Sequence, residues 1–161
     1  MKIPLITCLL LALVGCSGPF GPSRQGAIDR AIEQVKETMR VALPDVPHPD
    51  PYEYEDAGDC ALVPGLNSSK ETLRYQVAVP LPPGDNGIER QARAVQYWVD
   101  KGGTIRELPY YNGPPSEVNY KGGSIMAFST GSRPDMSARN QSGRPEFWIV
   151  ATTPCIPKAE N

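Results

Sequence analysis

The chain has 161 residues, 21% of them charged, with a formal net charge of -2 at pH 7 and one histidine. A nearly balanced charge and a pI near 5.4 give no general pull toward nucleic acid or anionic lipid, so a nucleic-acid partner is not expected. The length supports one domain of ordinary size.

The chain opens with Lys2 and an apolar run over residues 3–14 that ends in Leu13-Val14-Gly15-Cys16. The run is too short to span a bilayer as a stable helix, and the small Gly15 directly before Cys16 suits a peptidase that must approach the backbone. A plain secretory signal or a buried helix has no need of that small-residue/Cys pair. Residues 1–15 are therefore expected to be a lipoprotein signal peptide, with Cys8 discarded inside it, and Cys16 the lipidated first residue of the mature chain. Diacylglycerol on Cys16, with or without a palmitate-type chain on its amine, gains about 0.8 kcal/mol per buried methylene, enough for stable anchoring. The expected location is the extracytoplasmic side of the cell membrane, with the protein held in the cell envelope.

Residues 16–25 are rich in Gly, Pro and Ser and read as a tether, with a single domain over residues 26–161. Over residues 26–43, Ile28, Ile32, Val35, Met39 and Ala42 recur at helical spacing while Arg30, Glu33, Lys36, Glu37 and Arg40 fill the other faces, so an amphipathic helix is expected until Pro44 stops it. Residues 44–59 hold Pro44, Pro47, Pro49 and Pro51 among six acidic side chains and read as an extended, solvated connector that Tyr52 and Tyr54 pin to the domain surface. A calcium loop would need an Asp-x-Asp-x-Asp-Gly pattern and a closing Glu, which are absent. No metal site is expected.

Leu73, Tyr75, Val77, Val79 and Leu81 alternate with polar or small residues, the period of a half-buried strand. Pro82 to Gly87 break the chain; Ile88, Ala92, Val95 and Val99, with Trp98 widening the stripe, then predict a second helix that ends at Gly102-Gly103. Short strands are expected at residues 104–108, 123–129 and 146–152. Two one-sided helices over these strands give an α+β fold: a two-layer sandwich with a four-stranded, mostly antiparallel sheet, its last three strands joined as a meander. The first strand is free to pair with the second or the fourth.

Cys60 and Cys155 are the remaining mature-chain cysteines, and an exported pair of thiols usually oxidises, so a Cys60–Cys155 disulfide is expected. A redox or metal pair would want a Cys-x-x-Cys spacing, which is missing.

The arrangement resembles the LppA-like lipoproteins of mycobacteria and related actinobacteria. The likeness rests on the lipobox, a first helix ending near Ala42-Leu43-Pro44, Gly58-Asp59-Cys60 after an acidic stretch, Gly102-Gly103-Thr104, the strand led by Gly123, and Thr153-Pro154-Cys155. It covers most of the mature chain, which departs in its long 131–145 loop. What it implies is a surface lipoprotein; no catalytic residue is carried over.

Catalysis is not expected, nor is a cofactor. His48 sits among prolines, where a linker histidine is the plainer reading than a general base, and Glu53 and Glu55 lack the apolar pocket and fixed separation that glycoside hydrolysis requires. Long loops on rigid scaffolds often carry binding, and the 131–144 loop offers Arg133, Arg139 and Arg144, whose guanidinium groups suit carboxylate or phosphate partners. Tyr110, Tyr111 and Tyr120 add aromatic anchors. The expected function is thus a non-catalytic, membrane-anchored lipoprotein whose disulfide-stapled domain contacts an envelope protein or cell-wall polymer. The alternatives are a phage or prophage lipoprotein that excludes superinfection, and a carrier of a small apolar molecule between helices and sheet.

Overall fold

The computed structural model describes residues 23–60, 68–107, 113–131 and 144–159, and for residues 55–57 the backbone alone. Cys16, Tyr110, Tyr111, Arg133 and Arg139 lie outside the described residues. Among those described, no helix is long and apolar enough to cross a membrane.

Helix α1 (Arg24–Ala42) starts two residues earlier than its apolar pattern predicts, because the Ser23 hydroxyl accepts from the Gly26 N–H at 3.1 Å and caps the first turn. Its buried stripe is Ala27, Ala31, Val35, Thr38, Met39 and Ala42, whereas Ile28 and Ile32 are only partly buried. Small alanines, not isoleucines, face the sheet, and their size allows close approach. Helix α2 (Ile88–Asp100) follows Gly87, whose φ of +72° is a left-handed conformation. Gln91, Ala94, Val95 and Trp98 are buried there, while Ile88 and Ala92, expected inside, are exposed.

The expected four-stranded sheet is corrected to seven strands among the described residues, every pair antiparallel: β1 (Tyr52–Asp59), β2 (Lys70–Pro80), β3 (Thr104–Ile105), β4 (Glu117–Tyr120), β5 (Gly123–Ser129), β6 (Glu146–Thr152) and β7 (Ile156–Pro157). The spatial order is β1-β2-β6-β5-β4-β3, with β7 also paired to β2. Three of these strands fall where none was expected. The acidic, proline-rich connector supplies β1, because Tyr52–Asp59 find their backbone partners on β2, with a register shift between Tyr54 and Gly58. Strand β4 enters between β3 and β5, so the expected meander gains a strand. The first predicted strand, now β2, pairs with the last, now β6, in the register Val77↔Ile149.

One face of the sheet carries Leu73, Tyr75, Val77, Val79, Ala127, Phe147, Ile149 and Ala151, packed against α1, with Ala94 of α2 in the same cluster. Burying each such large aliphatic or aromatic side chain stabilises by about 1.5–3 kcal/mol. A second cluster joins Val95 and Trp98 of α2 to Val118 and Ile125. The helix–sheet interface is thus occupied by core side chains where a small apolar ligand was one expectation. The Trp98 indole donates to the buried Thr38 hydroxyl at 2.9 Å, which in turn donates to the Gln34 carbonyl at 2.7 Å. Tyr75, on the same face, donates to Glu53 at 3.0 Å, and burial together with that carboxylate pushes its phenol up to about 12.

Two polar locks join the helices. Arg90, 8% exposed, donates to both Asp45 oxygens at 2.6 and 2.8 Å, to Asp85 at 2.6 Å, and to the Ala42 carbonyl at the end of α1 at 3.1 Å. Glu37 of α1 accepts from Tyr97 and Lys101 at the other end of α2. Finally, Cys60 and Cys155 form the expected disulfide, with Cα atoms 6.0 Å apart, which ties the end of β1 to the residue before β7.

Candidate functional site

Alternation along a strand places successive side chains on opposite faces, so the residues that skip the helices line the other face of the sheet. The registers set them in three cross-strand rows. Tyr54, Arg74, Thr152, Ser124 and Asn119 run across β1, β2, β6, β5 and β4 as a polar row. Beside it run Tyr52, Gln76, Val150, Met126 and Glu117, and beyond them Ala78, Trp148 and Phe128. Polarity falls steadily from the first row to the third.

These rows floor an open groove of about 630 Å³. At one wall Tyr52 and Tyr54, 49% and 39% exposed, stand two apart on β1 and therefore on one face. Gln76 donates its amide to the Tyr52 hydroxyl at 2.9 Å, which fixes both. At the other wall Arg106 donates to Glu117 at 3.1 Å; the carboxylate is 3% exposed and held by that ion pair, and the guanidinium reaches solvent. At the apolar end Phe128 and Trp148 stack nearly parallel, 8° between planes and 6.4 Å between ring centroids.

Two buried side-chain polar atoms have no hydrogen-bond partner among the described residues: the Trp148 Nε1 and the Ser116 Oγ. An unmet buried donor costs about 1–3 kcal/mol, so Trp148 carries an unfulfilled hydrogen bond on a side chain that lines the groove.

A second depression, of about 490 Å³, lies at the start of α2 around Gly84, Asn86, Glu89 and Arg93. Its charges serve the fold. The hydrogen bond from Arg90 holds the Asp45 carboxyl down to about 2. Burial raises Asp85, but the hydrogen bonds from Arg90 and the Gly87 N–H outweigh it and keep that carboxyl below its ordinary range.

The site differs from the one the sequence pointed to. Of the three loop arginines, Arg144 alone is described; it is exposed, and the following Pro145 carbonyl accepts from the Leu81 N–H at 2.9 Å. Tyr120 is not a surface anchor: its ring packs on Trp98, 5.1 Å between centroids, in the second core cluster. Tyr52 and Tyr54 do lie at the surface, as part of a strand. His48 is exposed, its Nε2 2.7 Å from the Leu43 carbonyl, away from the groove-lining residues. Arg74, Gln76, Met126, Phe128 and Trp148 are groove residues that sequence reading passed over. The adjacent aromatics Phe147-Trp148 were a usable signal, since neighbours on one strand cannot both face the core.

The described lining residues carry hydroxyls, one amide, two guanidinium groups and an ion-paired carboxylate, with no His, Cys or Lys among them. Such a set can grip a ligand by stacking and hydrogen bonding. No protein-family model, curated protein or solved structure matches this chain.

Proposed function

We propose that the protein is a non-catalytic lipoprotein, anchored through Cys16 to the outer side of the cell membrane, that makes its envelope contacts through the helix-free face of the sheet. The observation that carries the contact surface is that face itself: Tyr52, Tyr54, Met126, Trp148 and two arginines gathered on one side of a hydrogen-bonded sheet. Aromatic residues, Met and Arg are the types enriched at recognition surfaces, and Lys, which is depleted there, is missing from the described lining residues. The only carboxylate among those lining residues is engaged by Arg106, and no histidine stands beside it, which supports binding in place of turnover. Anchoring is supported by the Leu13-Val14-Gly15-Cys16 sequence and by the likeness to LppA-like lipoproteins.

The test is in-cell crosslinking with a photoreactive residue placed in turn at Tyr54, on the groove, and at Arg30, on the exposed side of α1. Capture of one envelope component from position 54 and not from position 30 is the expected result. Equal capture from both, or none from position 54, refutes the assignment. In parallel, Cys16→Ala should move the protein from the membrane fraction to the soluble fraction with its fold unchanged; retention in the membrane would refute the anchor.

A further inference from the structure

We propose that the groove on the helix-free face is a carbohydrate-binding site, in which a short stretch of glycan stacks on Tyr52 and Tyr54 and takes a hydrogen bond from Trp148. This assignment rests on the reading that this face is the contact surface, and it names the chemistry of what is bound there.

Size comes first. A groove of about 630 Å³ falls within the range of about 300–1,000 Å³ typical of small-ligand sites, whereas a standard protein interface needs about 800 Å² from each partner. Five strands about 4.8 Å apart, read over three rows, span a face smaller than that. A ligand of a few rings matches the groove; a folded partner does not.

Chemistry then separates the small ligands. A purely apolar molecule would cover the hydroxyls of Tyr54, Ser124 and Thr152 while offering them no polar contact, which is unfavourable. An extended peptide brings backbone N–H and C=O groups, and peptides that bind sheets meet this need by adding to an edge strand. The β1 edge is broken by the register shift between Tyr54 and Gly58, which disrupts the row of backbone groups an added strand would use. On the face itself the strands are already paired, so every available hydrogen-bonding group there is a side chain.

A sugar ring fits these constraints. Its C–H face packs on the exposed Tyr52 and Tyr54 rings, which are amphipathic and rigid. Its hydroxyls donate and accept and its ring oxygen accepts around the rim, facing the polar row of Arg74, Thr152 and Ser124 on one side and Trp148 on the other. The Nε1–H of Trp148 is buried and unmet, and an indole turned toward the groove would find its acceptor in a ligand rich in oxygen. In the OB-fold, too, a sheet face together with adjoining loops binds oligosaccharides.

The experiment is isothermal titration calorimetry on the full chain, solubilised from membranes in a detergent without a sugar head group. The probes are N-acetylchitotriose, cellotriose, maltotriose and trigalacturonic acid. Saturable binding of at least one probe is expected, weakened at least 10-fold by the double variant Tyr52→Ala/Tyr54→Ala and at least 5-fold by Trp148→Phe, which keeps a ring and removes the N–H. The near-ultraviolet circular dichroism of the buried Trp98 reports whether each variant is folded, and Ile88→Ala, on the exposed side of α2, should bind as the parent does. No binding of any probe at millimolar concentration, or binding unchanged in the folded double variant, overturns the proposal. If crosslinks from position 54 still capture one envelope component in that case, the carbohydrate assignment alone fails. If they do not, the contact surface fails with it.

Discussion

Removing the Cys60–Cys155 bond should be the most costly two-residue change that leaves every buried apolar contact in place. The bond closes a loop of 95 residues in the sequence. In the chain-entropy treatment that restriction of the unfolded chain stabilises by about 4.7 kcal/mol at 25 °C, and measured values commonly fall nearer 3 kcal/mol. For a domain of this size, at about 2–4 °C per kcal/mol, the Cys60→Ser/Cys155→Ser variant should melt about 6–19 °C below the parent. The loss should also be uneven. Among the described residues, strands β1 and β7 each pair with β2 alone, whereas β6 and β5 have neighbours on both sides. Amide exchange in the double variant should therefore quicken first on β1 and around Ile156, while Val77 and Ile149 stay protected to the limit of global unfolding. Differential scanning calorimetry and hydrogen exchange read the two effects. A melting shift under 3 °C would show that the unfolded chain is restricted by something other than the disulfide. Uniform acceleration would show that β1 is no more weakly held than the centre of the sheet.

Other perturbations follow from particular contacts. At Gly87 a Cβ would lie 2.6 Å from the Ser129 Cβ on top of a φ of +72°, so Gly87→Ala should cost about 2–4 kcal/mol in urea unfolding. Gly84→Ala, at φ +84° with nothing within 4 Å, should cost only the backbone strain of about 1–2 kcal/mol. Thr38→Val removes the acceptor of the Trp98 indole and should cost about 1–3 kcal/mol, with a shift of the indole ultraviolet band as its signature. Acid should loosen the helix pair. Asp45, Asp85 and Glu37 have folded pKa values below their unfolded ones, so each contributes stability above its unfolded pKa that is lost as pH falls through the folded value. For Asp45 that window runs from about pH 5 down to about 2, and Asp45→Asn should flatten the fall in melting temperature there. A fall as steep in the variant as in the parent would show that the Asp45 arm of the Arg90 lock plays no part in acid sensitivity.

The sequence by itself determined which residues alternate and which recur at helical spacing. That was enough for two helices, for β2, β3, β5 and β6, and for pairing Cys60 with Cys155, because each depends on neighbours in the chain or on elimination. Where a helix stripe mixed large and small apolar residues, periodicity located the helix but not its buried side. Contact with the sheet chose Ala27 and Ala31 over Ile28 and Ile32, since close packing rewards fit as well as hydrophobicity. Strand β1 was hidden because prolines and acidic residues read as solvated, and only pairing with β2, remote in sequence, satisfies its backbone. Arg90 was unreadable as a core residue for a similar reason: its partners Asp45, Asp85 and the Ala42 carbonyl meet it only when α1 and α2 pack. The groove is the furthest from the sequence. Its rows join five strands through register, and a one-residue slip in any of them would send Trp148, Gln76 or Tyr52 to the opposite face.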